Sequence, residues 1–323
     1  MSVIFTIGDV VRSLIFITNK LLSIDMVDSI WRKTLSIIAL SMSTIIFITL
    51  IYGIIWGKYQ FKYHHQLIAS TKIPPSFNDY RIVQFSDVHL GSFDRMEPIK
   101  KIVEEVNQLK PDLIVFTGDL VNFRAKEALK YIELFSHLHA KDGVYTIMGN
   151  HDYKMTDSNS SIFYEKDKEA MLKIIQQKMG FTWLNNQSVE IYRSKDTICL
   201  GGVENWGGNH FVKFGDVDKA FDKKSDSLFK ILLSHDPTYW KEVIAHKEPK
   251  IDLTLSGHTH GMQVGIEIGK LRWSPVKYIY PLWAGIYNEN GTSLYVNRGF
   301  GVIGYPGRIG IWPEITILTL KHK

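Results

Sequence analysis

Five short blocks carry side chains able to bind a metal ion: "FSDVHLG", "FTGDLVN", "IMGNHDY", "LLSHDP" and "SGHTHGMQVG". They contribute Asp87 and His89, then Asp119, then Asn150, His151 and Asp152, then His235, and last His258 and His260. A lone aspartate at a strand end is usually a turn or cap residue, and a lone histidine an ordinary polar one. Blocks of carboxylate, amide and imidazole in succession are poorly explained as a set of turns. Two carboxylates, one amide oxygen and four imidazoles, with water, suffice for two divalent cations. Oxygen and nitrogen donors without thiolate suit Mn, Fe or Zn and do not suit a structural zinc–cysteine site. Paired cations of this kind serve in-line attack at phosphorus.

The local patterns place these blocks. Each follows a run rich in strand formers: "RIVQFS", "DLIVFTG", "VYTIMG", "KILLS" and "DLTLS". Further strands are expected at "TICLGG", "SLYVN" and "EITILTL", and helices over 97–109, 125–140 and 165–178. Alternation along a strand puts Asp87 and His89 on the same side. Ligands at the carboxyl ends of neighbouring strands converge on the crevice where open α/β sheets bind ligands. "HLHA" is a control. His137 and His139 have the spacing of His258 and His260 but lie in a helical pattern, where residues two apart do not face each other. They are expected to be solvated.

Hydrophobicity divides the chain. The 323 residues carry a formal net charge of +5 and a single cysteine, Cys199, which excludes an intramolecular disulfide. No dense Lys/Arg stripe argues for nucleic acid, so no nucleic-acid partner is expected. Leu35 to Trp56 runs for about 22 positions without a charge, enough to span a bilayer core. Arg32 and Lys33 on one side, and Lys58, Tyr59 and Lys62 on the other, suit interfacial anchors. Before it, Val3, Ile7, Val10, Leu14, Ile17, Leu21 and Ile24 recur at helical spacing, which predicts an amphipathic helix over about 3–31 lying on the membrane or against the spanning helix, with a second, imperfect span as the alternative. "TKIPPSFNDY" reads as a linker, so the organisation expected is an anchor over 1–72 and a catalytic domain over 73–323.

In full and in order, the blocks resemble the signature of the calcineurin-like metallophosphoesterases: D-x-H, G-D, G-N-H-[DE], H, G-H-x-H. The resemblance runs from Arg81 to the C-terminus. It implies a four-layer αββα sandwich with metals at the strand ends. It further implies one metal on Asp87, His89 and His260, a second on Asn150, His235 and His258, and Asp119 bridging both. His151 then resembles the family's proton donor or phosphate binder. "GDLVNFR" departs from the G-D-x-V-D-R-G of protein Ser/Thr phosphatases. Asn122 stands where purple acid phosphatases carry a metal-binding tyrosine. The closer likeness is to the bacterial membrane-anchored branch, which includes hydrolases of UDP-2,3-diacylglucosamine, a lipid A precursor. "NRGFG" and "GRIGIWPEITILTL" share that likeness, and Arg298 becomes a substrate-binding candidate. One soluble type of that hydrolase has Arg at the position of His151.

Aromatic residues crowd the end of the chain: Trp273, Tyr278, Tyr280, Trp283 and Tyr287, with Trp206 earlier in "ENWGGNHF". Core packing accounts for such residues in general. The functional alternative makes Trp206 and Trp283 a wall or lid for an acyl or nucleobase group. The expected function is therefore a membrane-anchored, two-metal phosphohydrolase acting on a phosphodiester or pyrophosphate bond in a lipid-linked substrate. A general nucleotide phosphodiesterase or phosphatase at the membrane is the alternative. A non-catalytic scaffold is disfavoured by the complete ligand set.

Overall fold

A computed structural model describes residues 29–153, 168–208, 213–269 and 271–323, with 13, 16, 17 and 20. The amphipathic helix expected over 3–31 falls almost wholly outside the described residues. Helix α1 (Ser29–Ile55) contains the apolar run except its last residue, Trp56. It is long and apolar enough to cross a membrane, and little of that segment is buried.

Two six-stranded sheets follow. In chain order their strands are β1 (Lys62–Ser70), β2 (Arg81–Phe85), β3 (Leu113–Phe116), β4 (Val144–Thr146), β5 (Thr182–Trp183), β6 (Gln187–Arg193), β7 (Asp196–Gly202), β8 (Phe229–Leu233) and β9 (Leu253–Ser256). A small ribbon, β10 (Ile266–Ile268) and β11 (Leu271–Trp273), precedes β12 (Gly285–Glu289), β13 (Thr292–Val296) and β14 (Glu314–His322). The first sheet runs β1-β14-β2-β3-β4-β5, with β2 to β5 parallel. The second runs β12-β13-β9-β8-β7-β6, with β13, β9, β8 and β7 parallel.

Near-continuous apolar runs such as "LIVF" and "KILL" are what strands covered on both faces require. Ile82, Leu113, Val115 and Leu318 of the first sheet meet Ile198, Ile231, Leu233, Leu253 and Leu255 of the second in one buried layer. Gln84 lies at the same interface. Its amide donates to Thr117 Oγ1 (3.1 Å) and to the Ser256 carbonyl (3.0 Å), joining the two sheets. The opposite face of the first sheet, with Val83, Phe85, Ile114 and Phe116, packs on helix α2 (Glu97–Gln108) through Ile99, Ile102, Val103 and Val106. Leu172 and Ile175 of a later helix, Lys168–Lys178, complete that layer. The second sheet's outer face carries Leu232, Leu294 and Val296 against Tyr239 and Trp240 of helix Pro237–Glu242. The architecture is therefore helix, sheet, sheet, helix.

Two boundaries differ from the sequence reading. Lys62–Ser70 pairs in parallel with β14 along its whole length, so the folded domain starts before 73. The strand was not legible because it is an edge strand with a mixed, partly exposed side-chain pattern. A chain begun at Lys72 would strip this strand from β14. The helix expected over 125–140 is a 3₁₀ segment, Ala125–Tyr131, followed by a short α-helix, Ile132–Ser136. His137 and His139 lie beyond it, so helical spacing does not set their directions, but both are exposed as expected.

Candidate metal centre

The parallel strands at the middle of both sheets end at one place. Asp87 and His89 follow β2, Asp119 follows β3, and Asn150 and His151 follow β4. From the second sheet, His235 follows β8, and His258 and His260 follow β9. Asp87 Oδ1 lies 3.2 Å from His260 Nε2, and His260 Nε2 lies 3.1 Å from His89 Nε2. Asp119 Oδ2 stands 3.2 Å from His235 Nε2 and 3.6 Å from His89 Nε2. His235 Nε2 is also 3.0 Å from Asn150 Oδ1 and 3.2 Å from His258 Nδ1. The structure thus brings all seven sequence-predicted ligands together. Two clusters, Asp87–His89–His260 and Asp87–Asp119–His235, each keep their donor atoms within 4.8 Å of one another.

These spacings suit a shared cation. Donor atoms bound at roughly 2.0–2.2 Å from one ion stand about 3 Å apart, as they do here. The electrostatics point the same way. Burial alone would raise both aspartates, yet His260 beside Asp87 and His235 beside Asp119 hold them well below the usual carboxylate range. Burial would lower His235, but Asp119 draws a proton onto it and lifts it to about 10. Burial, and then His260, push His89 down. The buried carboxylates demand positive charge, and a divalent cation supplies it without protonating ligands.

The backbone is bent to aim these groups. Asp87, His89, Asp119, His258 and His260 have φ of 50°, 44°, 56°, 71° and 52°, the left-handed region. Such residues cost about 1–3 kcal/mol each and persist where the surroundings over-determine them. Cross-bonds supply that determination: Asp87 N donates to the Gly118 carbonyl (3.0 Å), and His89 N to the Asp119 carbonyl (3.1 Å). The carboxylates are gripped too. Asp87 accepts from His258 N (2.9 Å to Oδ2), and Asp119 Oδ1 accepts from His151 N (2.7 Å). This close approach needs glycine beside the ligands. A Cβ on Gly257 would lie 1.8 Å from Ser86 Oγ, and one on Gly149 2.2 Å from Asp119 Oδ1.

Outer partners fix the rings. His235 Nδ1 stands 2.8 Å from the Thr117 carbonyl and donates to it, leaving Nε2 as the inward donor atom. His258 has the reverse orientation: Nδ1 faces inward, and Nε2 lies 2.8 Å from the Tyr280 hydroxyl and 3.5 Å from Asp236 Oδ2. Tyr280 and Asp236 were not assigned this task from the sequence. Tyr280 is one of the late aromatics, and nothing in its neighbourhood signals a histidine partner. His151 is half-buried, with Nδ1 2.8 Å from the Asn122 carbonyl and its ring 5.1 Å from that of His89. Buried Lys168 donates to the His151 carbonyl, which holds the turn. Asp152 caps the same turn, accepting from Gly149 N (3.0 Å) and Leu120 N (2.9 Å). Asn122 donates to the Val302 carbonyl (3.0 Å) and is turned away from a ligand role.

The three substrate candidates sit differently. Arg298 is buried, and its guanidinium is committed to Glu314 (Nη1 to Oε2, 2.5 Å) and Glu267 (Nη2 to Oε1, 2.6 Å). Burial would raise Glu314, but Arg298 brings it down to about 2. Arg298 is a strut between β14 and the ribbon. Removing one partner of a buried pair costs about 3–5 kcal/mol. Arg298→Met is therefore expected to lower the unfolding midpoint markedly while KM for a small phosphoester stays near wild type. An unchanged midpoint with a raised KM would return Arg298 to substrate binding. Trp283 is also buried, packed with Val276, Ala284 and Ile311, and its carbonyl accepts from Thr259 Oγ1 (2.7 Å). It supports the "GHTHG" turn and is not a lid. Trp206, half-buried, stacks on Tyr239 at 4.7 Å with Lys213 over its face. The sequence could not separate these roles, because an aromatic supporting a loop and one facing a substrate look alike.

This fold and this convergence of donors define a class. The sequence pattern of the calcineurin-like phosphoesterases matches residues 80–262, and the chain belongs to that family. It is a hydrolase acting on phosphoester bonds. Among its relatives, an uncharacterized metallophosphoesterase of Bacillus subtilis, YkuE, is 33% identical over 269 residues, covering 79% of this chain and 83% of that protein. A Danio rerio transmembrane protein with a metallophosphoesterase domain is 31% identical over 279 residues, covering 84% of this chain but 60% of that protein. The UDP-2,3-diacylglucosamine pyrophosphatase LpxG of Chlamydia trachomatis is 30% identical over 269 residues, covering 68% of this chain and 78% of that protein.

Proposed function

We propose that this phosphoesterase is held at a membrane by α1 and uses two divalent ions, Mn, Fe or Zn, to cleave a pyrophosphate or phosphodiester bond in a lipid-linked substrate. The convergence of seven oxygen and nitrogen donors between the two sheets carries the reading. Asp87, His89 and His260 would hold one ion, and Asn150, His235 and His258 the other, with Asp119 between them. When bound, such a pair neutralises phosphoryl oxygens and makes water nucleophilic near neutral pH.

The chain's own groups set the rest. Asp119 is fixed by the backbone N–H of His151, which ties the carboxylate to the turn that carries the imidazole. The carbonyl of Asn122 accepts from His151 Nδ1, which leaves Nε2 to carry a proton to the departing oxygen. General acid catalysis of this kind contributes about 10²–10⁴-fold.

The lipid part rests on how α1 meets the site. Tyr305 donates to the Leu50 carbonyl (2.6 Å) and Arg308 N to the Gly53 carbonyl (3.2 Å). Arg308 in turn binds the carbonyls of Arg298, Gly299 and Gly301. A membrane helix so coupled to the catalytic loops would confine the site near the bilayer and raise the effective concentration of a membrane-borne substrate. The LpxG relative's named substrate has this chemistry. A diacylated UDP-sugar is therefore expected to be hydrolysed with a much higher kcat/KM than its deacylated analogue, releasing UMP. Equal values for both in detergent and in vesicles would replace this reading with a general nucleotide phosphodiesterase.

A further inference from the structure

The β10–β11 ribbon has its apolar face outward. The register pairs Ile266 with Trp273, Glu267 with Arg272 and Ile268 with Leu271. Alternation therefore puts Ile266, Ile268, Leu271 and Trp273 on one face and Glu267 with Arg272 on the other. The polar face is the one turned to the protein. Glu267 makes a two-point ion pair with Arg298, its oxygens 3.0 and 2.6 Å from Nε and Nη2. Arg272 lies over the Trp283 ring at 5.3 Å. The apolar face is left to solvent: Ile268 is 73% and Leu271 62% exposed. Tyr278 and Ile279, just beyond the ribbon, are 74% and 65% exposed. In a water-soluble domain this pattern would be reversed, because an exposed cluster of this size marks an interaction surface.

The ribbon's position says what covers it. Val264, next to its base, bridges to Ile309 and Gly310. Ile309 is in turn packed on α1: its side chain lies 2.9 Å from where a Cβ of Gly53 would stand. Tyr52 and Trp56 of the apolar run, both partly exposed, lie beside Trp312 or one another. The base of the ribbon is thus joined, through one bridge and one side chain, to the end of the helix proposed to cross the membrane. Tryptophan and tyrosine collected at such a junction suit the bilayer interface.

We propose that the apolar face of β10–β11, with Tyr278 and Ile279, dips into the lipid surface as a second membrane contact beside α1. The proposal rests on the membrane placement proposed above. A helix alone leaves the domain free to swivel, whereas a helix and a ribbon fix its face. The ribbon follows the His258–His260 turn directly, so this contact would hold the metal centre toward the headgroups. Apolar faces of interfacial elements sit roughly 5–10 Å into the headgroup and acyl boundary.

The test uses the full chain in phosphatidylethanolamine–phosphatidylglycerol vesicles. Cys199, the one cysteine, is replaced by alanine, and single cysteines at Ile268, Ile45 or Tyr192 carry an environment-sensitive fluorophore. Ile45 lies in α1, and Tyr192 is an exposed residue of β6. Brominated lipid is expected to quench the labels at Ile268 and Ile45 but not that at Tyr192. Quenching at Ile45 with an unquenched, water-exposed label at Ile268 would overturn the ribbon contact alone. No quenching at either position would overturn both the contact and the membrane placement. A blue-shifted Ile268 label that brominated lipid leaves bright would mean that protein covers the ribbon, and would also overturn the proposal.

Discussion

Asp119→Ala is expected to abolish hydrolysis and to reduce the metal content to one ion or none per chain. The carboxylate has Oδ2 between His235 and His89 and Oδ1 on the His151 backbone. Alanine removes the proposed bridging ligand and frees the turn that carries His151. The partly buried N–H of His151 then loses its acceptor. Asp119→Asn separates these effects. It keeps the acceptor for His151 N, so the fold should hold, while a neutral amide bridges two cations poorly. Metal analysis and turnover of both variants, alongside an unfolding curve, check the account. An active, fully metallated Asp119→Ala chain would defeat the assignment.

His151→Asn should leave the metals in place and slow turnover by about 10²–10⁴-fold, the share of a general acid. His151 contributes its backbone, not its ring, to the grip on Asp119, and its Nδ1 is occupied by the Asn122 carbonyl. Asparagine keeps the backbone contact. The loss should shrink for esters with good leaving groups, such as nitrophenyl phosphates, because they depart without a proton. Metal content and a leaving-group series read the two expectations separately. An equal loss across the series would make His151 a phosphate binder.

The sequence reached the site further than it reached the fold around it. Strand-end blocks are legible because strand polarity carries Asp87, His89, Asp119, His235 and His258 to one edge, although the alternation expected to align Asp87 with His89 does not apply, since both lie beyond β2 in left-handed conformations. The apolar helix is legible because Leu35–Trp56 has no polar face. The edge strand Lys62–Ser70 was missed because one row of its hydrogen bonds goes to β14 and its side chains are half exposed. The left-handed turns at five ligands were missed because non-glycine residues rarely adopt them, so no propensity announces them. Arg298 misled for another reason. Its partners, Glu267 and Glu314, lie far from it in sequence on either side. A guanidinium destined for a buried strut and one destined for a phosphate are identical until the fold places the carboxylates. Trp206 and Trp283 have the same ambiguity, and packing decides it. The reversed pattern of the ribbon was written in "IEIGKLRW", but which face meets the protein depends on the pairing register and on Arg298.

The most direct test of the account is the electron paramagnetic resonance spectrum of the full chain loaded with Mn(II), taken with a count of bound metal. A carboxylate shared between two ions couples their spins. The account predicts two Mn(II) per chain and the spectrum of a coupled pair, which Asp119→Ala abolishes. One ion per chain, or two ions with the spectrum of isolated Mn(II), would contradict a binuclear centre bridged by Asp119.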